Sequence, residues 1–128
     1  MSKQRTIIAT EKAPAALGPY SQAVKVGGTV YLSGQIPLDA KTMQLIEGDI
    51  TAQTTQVFNN LAAVADAAGG TLNDAVKVNI SLTDLNDFAR VNDVMKQFFQ
   101  EPYPARACVQ VAALPRGAAV EIEVILEL

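Results

Sequence analysis

The chain has 128 residues, 49% of them hydrophobic and 18% charged, with a net charge of −3. That length and apolar content suit one domain, residues 1–128, with its own core, and exclude a disordered chain. The lack of histidine and the single cysteine remove His-based triads, His general bases, most zinc sites and any internal disulfide, and fit a cytoplasmic setting. The acidic balance argues against non-specific nucleic-acid binding, which needs a basic stripe. No apolar run reaches the length of a membrane span, and "MSKQRTIIATEKAP" lacks the apolar centre of a secretion signal. The low charge fraction hints at subunit contacts.

Residues 5–9, "RTIIA", read as a short strand. "AVKV" and "TVYLSG" flank Gly27-Gly28 and read as a β-hairpin. The stretch 35–49 is a loop, broken by Pro37, Asp39, Gly48 and Asp49. Ile50, Val57, Leu61, Val64, Ala65 and Ala68 recur at helical spacing, with Asp49 or Thr51 to cap the start and Gly69-Gly70 to end it. Residues 76–83 alternate Val76, Val78, Ile80 and Leu82 with polar partners, as a strand with one apolar face does. A second helix is expected over 85–100, capped by Asp84 and burying Phe88, Val91, Met95, Phe98 and Phe99, with Pro102 and Pro104 beyond it. Strands at 105–111 and 119–127 follow, joined through "ALPRGA" and read as neighbours. On that reading Val109 and Val111 share a face with Ile122 and Val124, and Arg106 and Cys108 share the other with Glu121 and Glu123. Two amphipathic helices on one face of one sheet make an α+β fold, and a second subunit would cover the other face.

Several residues carry candidate chemistry. Arg106 sits in "YPARACVQV", a strand that otherwise reads as core, and a guanidinium is rarely buried without an anion. The anion is Glu121 or Glu123 of the next strand, or a ligand. Glu121 and Glu123 lie two apart among apolar neighbours that would raise a carboxyl pKa, so either could move protons; an edge-strand solubility role is the alternative. "YLSGQIP" ends a strand in Ser33-Gly34, whose N–H groups and hydroxyl could bind a small anion or simply turn the chain. Tyr20 follows Gly-Pro and is either a ligand contact or surface packing. Cys108 has no histidine to activate it and reads as packing or pocket lining.

The stretches "GPYSQAV", "YLSGQIP", "QVFNNLAAVADAAGG", "TDLNDFARVN", "YPARACVQV" and "LPRGAAVEIE" resemble the Rid family of RidA/YjgF-type reactive intermediate deaminases, over about residues 6–125. The resemblance implies a chorismate-mutase-like fold assembled as a homotrimer, with sites in the clefts between subunits. It implies hydrolysis of enamine and imine acids such as 2-aminoacrylate, 2-iminopropanoate and 2-iminobutanoate to 2-oxo acids and ammonia, with no metal and no cofactor. Arg106 then matches the carboxylate-binding arginine and Glu121 the glutamate beside the attacking water. Tyr20, Ser33 and Gly34 match lining residues, Cys108 a cysteine whose backbone touches ligand or water, and Asn92 a peripheral asparagine. Ala107, Ala113, Met43 and Met95 depart from the family pattern; Met43 stands where a glycine is usual. Two other readings stay open: a non-catalytic trimer that binds small carboxylates, and an RNA-directed role, which the charge opposes.

Overall fold

The computed structural model describes residues 4–128; the first three residues of the expected domain lie outside it. Six strands form one mixed sheet: β1 (Arg5–Ile8), β2 (Ala23–Val26), β3 (Thr29–Gln35), β4 (Ala75–Leu82), β5 (Ala105–Gln110) and β6 (Val120–Glu127). They run in the order β1-β2-β3-β6-β4-β5, with only β4 and β5 parallel. The helices α1 (Ile50–Ala67) and α2 (Phe88–Phe98) pack on each other, and α1 lies on β6 and β3.

Period-two alternation decides which strand face meets the helices. In β6, Val120, Ile122, Val124 and Leu126 are fully buried while Glu123 and Glu127 are exposed. Val78, Ile80 and Leu82 of β4 pair with Val124, Ile122 and Val120 and complete the same apolar surface. Val57, Phe58, Leu61 and Val64 of α1 close over it. Each such side chain contributes about 1.5–3 kcal/mol by leaving water. Asp49 caps α1, its carboxylate accepting from the Ala52 N–H at 3.0 Å. At the other end Gly69 takes φ 91°, and the Gly69 and Gly70 N–H groups donate to the Asp66 and Ala65 carbonyls, a Schellman closure that favours glycine at that φ.

The second helix is shorter than its pattern suggests. Asp84 accepts from the Asn86 N–H and Gln110 Oε1 takes the Leu85 N–H, so residues 85–87 form a separate 3-10 turn and Asp84 caps that turn instead of α2.

The expected β5–β6 neighbourhood is not formed, because β4 lies between them. The chain leaves β4, crosses α2 and returns as β5 parallel to β4, as a helical crossover requires. Both the end of β5 and the start of β6 then flank Leu82, and residues 112–119 form a strap over the end of β4, held by Val111 N–H to Leu82 O and Thr83 N–H to Ala119 O. The faces are therefore sorted differently from the sequence reading. Arg106 and Cys108 pair with Val78 and Ile80 on the helix side, with Ile122 and Val124; Val109 pairs with Ser81 on the open side, with Glu121 and Glu123.

Candidate functional site

The open side of the sheet carries a cavity of about 600 Å³ whose lining includes Tyr20, Ser33, Gly34, Met43, Arg116 and Glu121. A β-bulge shapes it. Leu32 pairs with Val124 and Gln35 with Ile122, so Ser33 and Gly34 together oppose Glu123. Such a bulge bends the strand and re-aims its side chains. Gly34 admits the neighbouring carboxylate: a Cβ there would lie 3.0 Å from Glu121 Cδ and 3.3 Å from its Oε2. Glu121 is partly buried on β6. Burial pushes its carboxyl above the ordinary value, and the negative charge of Glu123 pushes the same way.

The donors of Ser33 are not free to meet an anion. Its hydroxyl donates to the Ser21 carbonyl at 2.6 Å and its N–H to the Gln22 carbonyl at 3.0 Å, so both donors are used within the chain and the hydroxyl oxygen remains an acceptor. Gln22 organises the cavity wall. Its buried amide accepts from Thr10 N–H at 2.6 Å and donates to the carbonyls of Thr10, Ala13 and Pro14, fixing the start of the loop that ends in Tyr20. Asn60 does the same for the 36–48 loop, donating to the Leu38 carbonyl at 3.0 Å. Nothing in the sequence pattern marks either amide, since each acts on backbone that is distant along the chain.

Arg106 stands elsewhere. It projects from edge strand β5 towards α2, where it donates to Asn92 Oδ1, approaches Met95 Sδ at 3.7 Å and lies 5.0 Å from the Phe88 ring centroid. These partners are neutral, so the guanidinium keeps its charge uncompensated by them. Asn92 is thus a direct partner of Arg106. A second cavity, about 430 Å³, is bounded by Arg106, Asn92, Met95, Lys96, Tyr103 and Pro104. Cys108, beside Arg106 on the same face, borders a smaller cavity of about 340 Å³ with Leu85 and Phe88; burial raises its thiol pKa, and the Arg106 charge opposes that.

The structure therefore gathers Tyr20, Ser33, Gly34 and Glu121 in one place and Arg106, Asn92 and Cys108 in another. Arg106 pairs with Val78, Glu121 with Ser81: at standard spacings they are about 10 Å apart along the sheet and about 10 Å across it, on opposite faces. An ion pair between them within one chain is excluded. Among the described residues no three His, Cys, Asp or Glu side chains converge as a metal site, and no helix is long and apolar enough to cross a membrane.

Residues 10–128 match the family model described as Endoribonuclease L-PSP. The chain is 53% identical over 126 residues to a 2-iminobutanoate/2-iminopropanoate deaminase of Dermatophagoides farinae, covering 98% of each, and 51% identical to the protein of that name in Mus musculus, covering 94% of this chain and 90% of the other. Among solved structures, RidA from the Antarctic bacterium Psychrobacter sp. superposes with a TM-score of 0.93 at 62% identity, over 96% of this chain and 99% of that one. Escherichia coli TdcF with bound serine superposes with a TM-score of 0.90 at 43% identity, over 96% and 98%. With a full-length match of this closeness in sequence and in fold, the chain belongs to the Rid family.

Proposed function

We propose that the protein hydrolyses reactive 2-imino acids, 2-iminopropanoate and 2-iminobutanoate with their enamine tautomers such as 2-aminoacrylate, to 2-oxo acids and ammonia. We further propose that it does so as a chorismate-mutase-like homotrimer whose sites lie between subunits. The observation that carries the reading is the placement, on opposite faces of one sheet, of a guanidinium with no carboxylate partner among the described residues and a carboxyl raised above its ordinary pKa, in a chain half identical to named imine deaminases. In a ring of copies, Arg106 of one chain would meet the Glu121 cavity of the next. The open face supports this: Ile7, Tyr31 and Val109 are 56%, 52% and 51% exposed on it, an apolar surface suited to a subunit contact.

The chemistry follows from the residues. Arg106 grips the substrate carboxylate through two parallel N–H donors. That fixes C2 for attack by one water. Glu121 takes a proton from the water as its oxygen bonds to C2 of the protonated imine. The same carboxyl then returns that proton to the nitrogen of the carbinolamine. As the C–N bond breaks, Glu121 takes the hydroxyl proton so that the C=O forms, and passes it to the departing ammonia, which leaves as ammonium. A carboxyl raised above its ordinary pKa is better matched to this relay near neutral pH. Tyr20 and Ser33 line the cavity, and Cys108 lies near the carboxylate end. The reaction needs no redox partner. A ribonuclease reading draws no support from a chain of net charge −3 without histidine.

The test is a coupled assay in which a pyridoxal-phosphate serine or threonine dehydratase releases the imine and 2-oxo acid formation is followed. Faster release with the protein present supports the deaminase. A rate equal to the uncatalysed one, with pyruvate still binding, would leave the non-catalytic carboxylate-binding reading in its place. The Gly34 contact adds a sharper prediction. Gly34→Ala forces the Glu121 carboxylate aside by a few tenths of an ångström, so kcat should fall about tenfold with little change in Tm; an unaltered kcat would show that the position of this carboxylate is not critical.

A further inference from the structure

Among the described residues two that are not glycine hold positive φ, Met43 at 57° and Arg116 at 59°. They are fastened to each other: Arg116 Nη1 donates to the Met43 carbonyl at 2.9 Å. Left-handed backbone costs a residue of this kind about 1–2 kcal/mol and persists where its surroundings hold it. For Met43 the surroundings are a tight turn. The Asp39 carboxylate accepts from the Lys41 and Thr42 N–H groups, which hold its pKa low, and the Met43 N–H donates to the Asp39 carbonyl. For Arg116 they are the strap over β4. Both residues line the cavity that holds Glu121.

A strained turn that glycine would adopt freely thus carries a thioether into the wall of the candidate site. The same cavity is lined by Leu17, Ile36 and Leu38, so an apolar group adjoins the carboxylate. At about 600 Å³ the space exceeds that of a three-carbon imino acid several-fold, so wall contact and not room limits how well a side chain is held.

We propose that Met43 is a specificity-determining residue, positioned by Arg116, which selects imino acids with linear aliphatic side chains longer than methyl. This rests on the deaminase reading. The flexible, polarizable thioether packs along such a chain with Leu17, Ile36 and Leu38, while the carboxylate and C2 stay with Arg106 and Glu121.

The experiment compares imines released by an L-amino-acid oxidase from alanine and from norvaline, with wild type, Met43→Gly, Met43→Leu, Arg116→Met and Arg116→Lys. In Met43→Gly the norvaline-to-alanine ratio of kcat/KM falls about five- to tenfold, the loss of one to two methylene contacts, and the change lies in KM. Met43→Leu restores the ratio. Arg116→Met, which cannot donate to the Met43 carbonyl, lowers it, and Arg116→Lys keeps it. Met43→Gly should melt no lower than wild type, which separates loss of contact from loss of fold. A wild-type ratio in Met43→Gly overturns the proposal. If wild type accelerates neither imine, the deaminase reading fails separately, and titration with pyruvate and 2-oxopentanoate reads the same pocket: a Kd ratio that Met43→Gly lowers sustains the side-chain role, and one it leaves unchanged overturns it.

Discussion

Arg106→Ala lowers kcat/KM for imine hydrolysis by about 10²–10³-fold, the equivalent of one charge-assisted bidentate carboxylate contact. The loss appears for every substrate, whatever its side chain, because every 2-imino acid brings the same carboxylate. Stability changes little. Arg106 is exposed on an edge strand, and its partners Asn92, Met95 and Phe88 are neutral, so its removal strands no buried charge and forfeits a cation–π contact worth about 0.5–1 kcal/mol at an exposed site. Arg106→Lys keeps the charge without the planar fork and should fall between wild type and alanine. Steady-state kinetics with a melting curve for each variant checks this; a fully active, folded Arg106→Ala would remove carboxylate anchoring from the mechanism.

Glu121→Gln lowers kcat by about 10²–10³-fold, within the usual range for a general acid–base group, while pyruvate binding is largely retained. Its effect on stability runs the other way. Burial and Glu123 raise the Glu121 pKa in the folded chain. Below the ordinary carboxylate value both folded and unfolded chains hold the proton, and Glu121 contributes nothing. As pH rises past that value the unfolded chain loses its proton first, so stability declines until pH passes the raised folded value. Above it the ionised, partly buried carboxylate is a constant cost. Glutamine removes that cost, so the variant should melt at or above the wild-type temperature near neutral pH and show no decline from this group on the acid side. The same shift sets the acid limb of the wild-type activity profile above the ordinary carboxylate range. An active Glu121→Gln would assign the water to another group.

The elements were legible because burial imposes a period. The alternation of β4 and β6 and the helical spacing from Ile50 to Ala68 leave little choice, and Gly69-Gly70 ends α1 where expected. The order of the strands was not. Residues 111–119 look like a hairpin loop by length, yet the crossover through α2 has already placed β5 against β4, and only the far edge of β4 is left for β6. That error in adjacency moved Arg106 to the wrong face. In the site, the charged residues announced themselves because a guanidinium or carboxylate among apolar neighbours needs a reason. Gln22, Asn60 and Arg116 did not, since each acts on a carbonyl or N–H brought close only by folding. Met43 was visible as a departure from the family pattern, but its meaning required its φ.

On the proposed assembly, the separation of Arg106 and Glu121 across the sheet would make ownership of the chemistry collective. In a closed ring of copies, a chain lacking the arginine still offers a sound carboxylate, and a chain lacking the carboxylate still offers a sound arginine. Two inactive proteins, Arg106→Ala and Glu121→Gln, unfolded and refolded together, should therefore regain activity that neither has alone, through mixed rings in which one junction joins the two intact halves. On the proposed ring, catalysis would be a property of the seam and not of the subunit, and an inactive chain would be felt in proportion to the seams it enters.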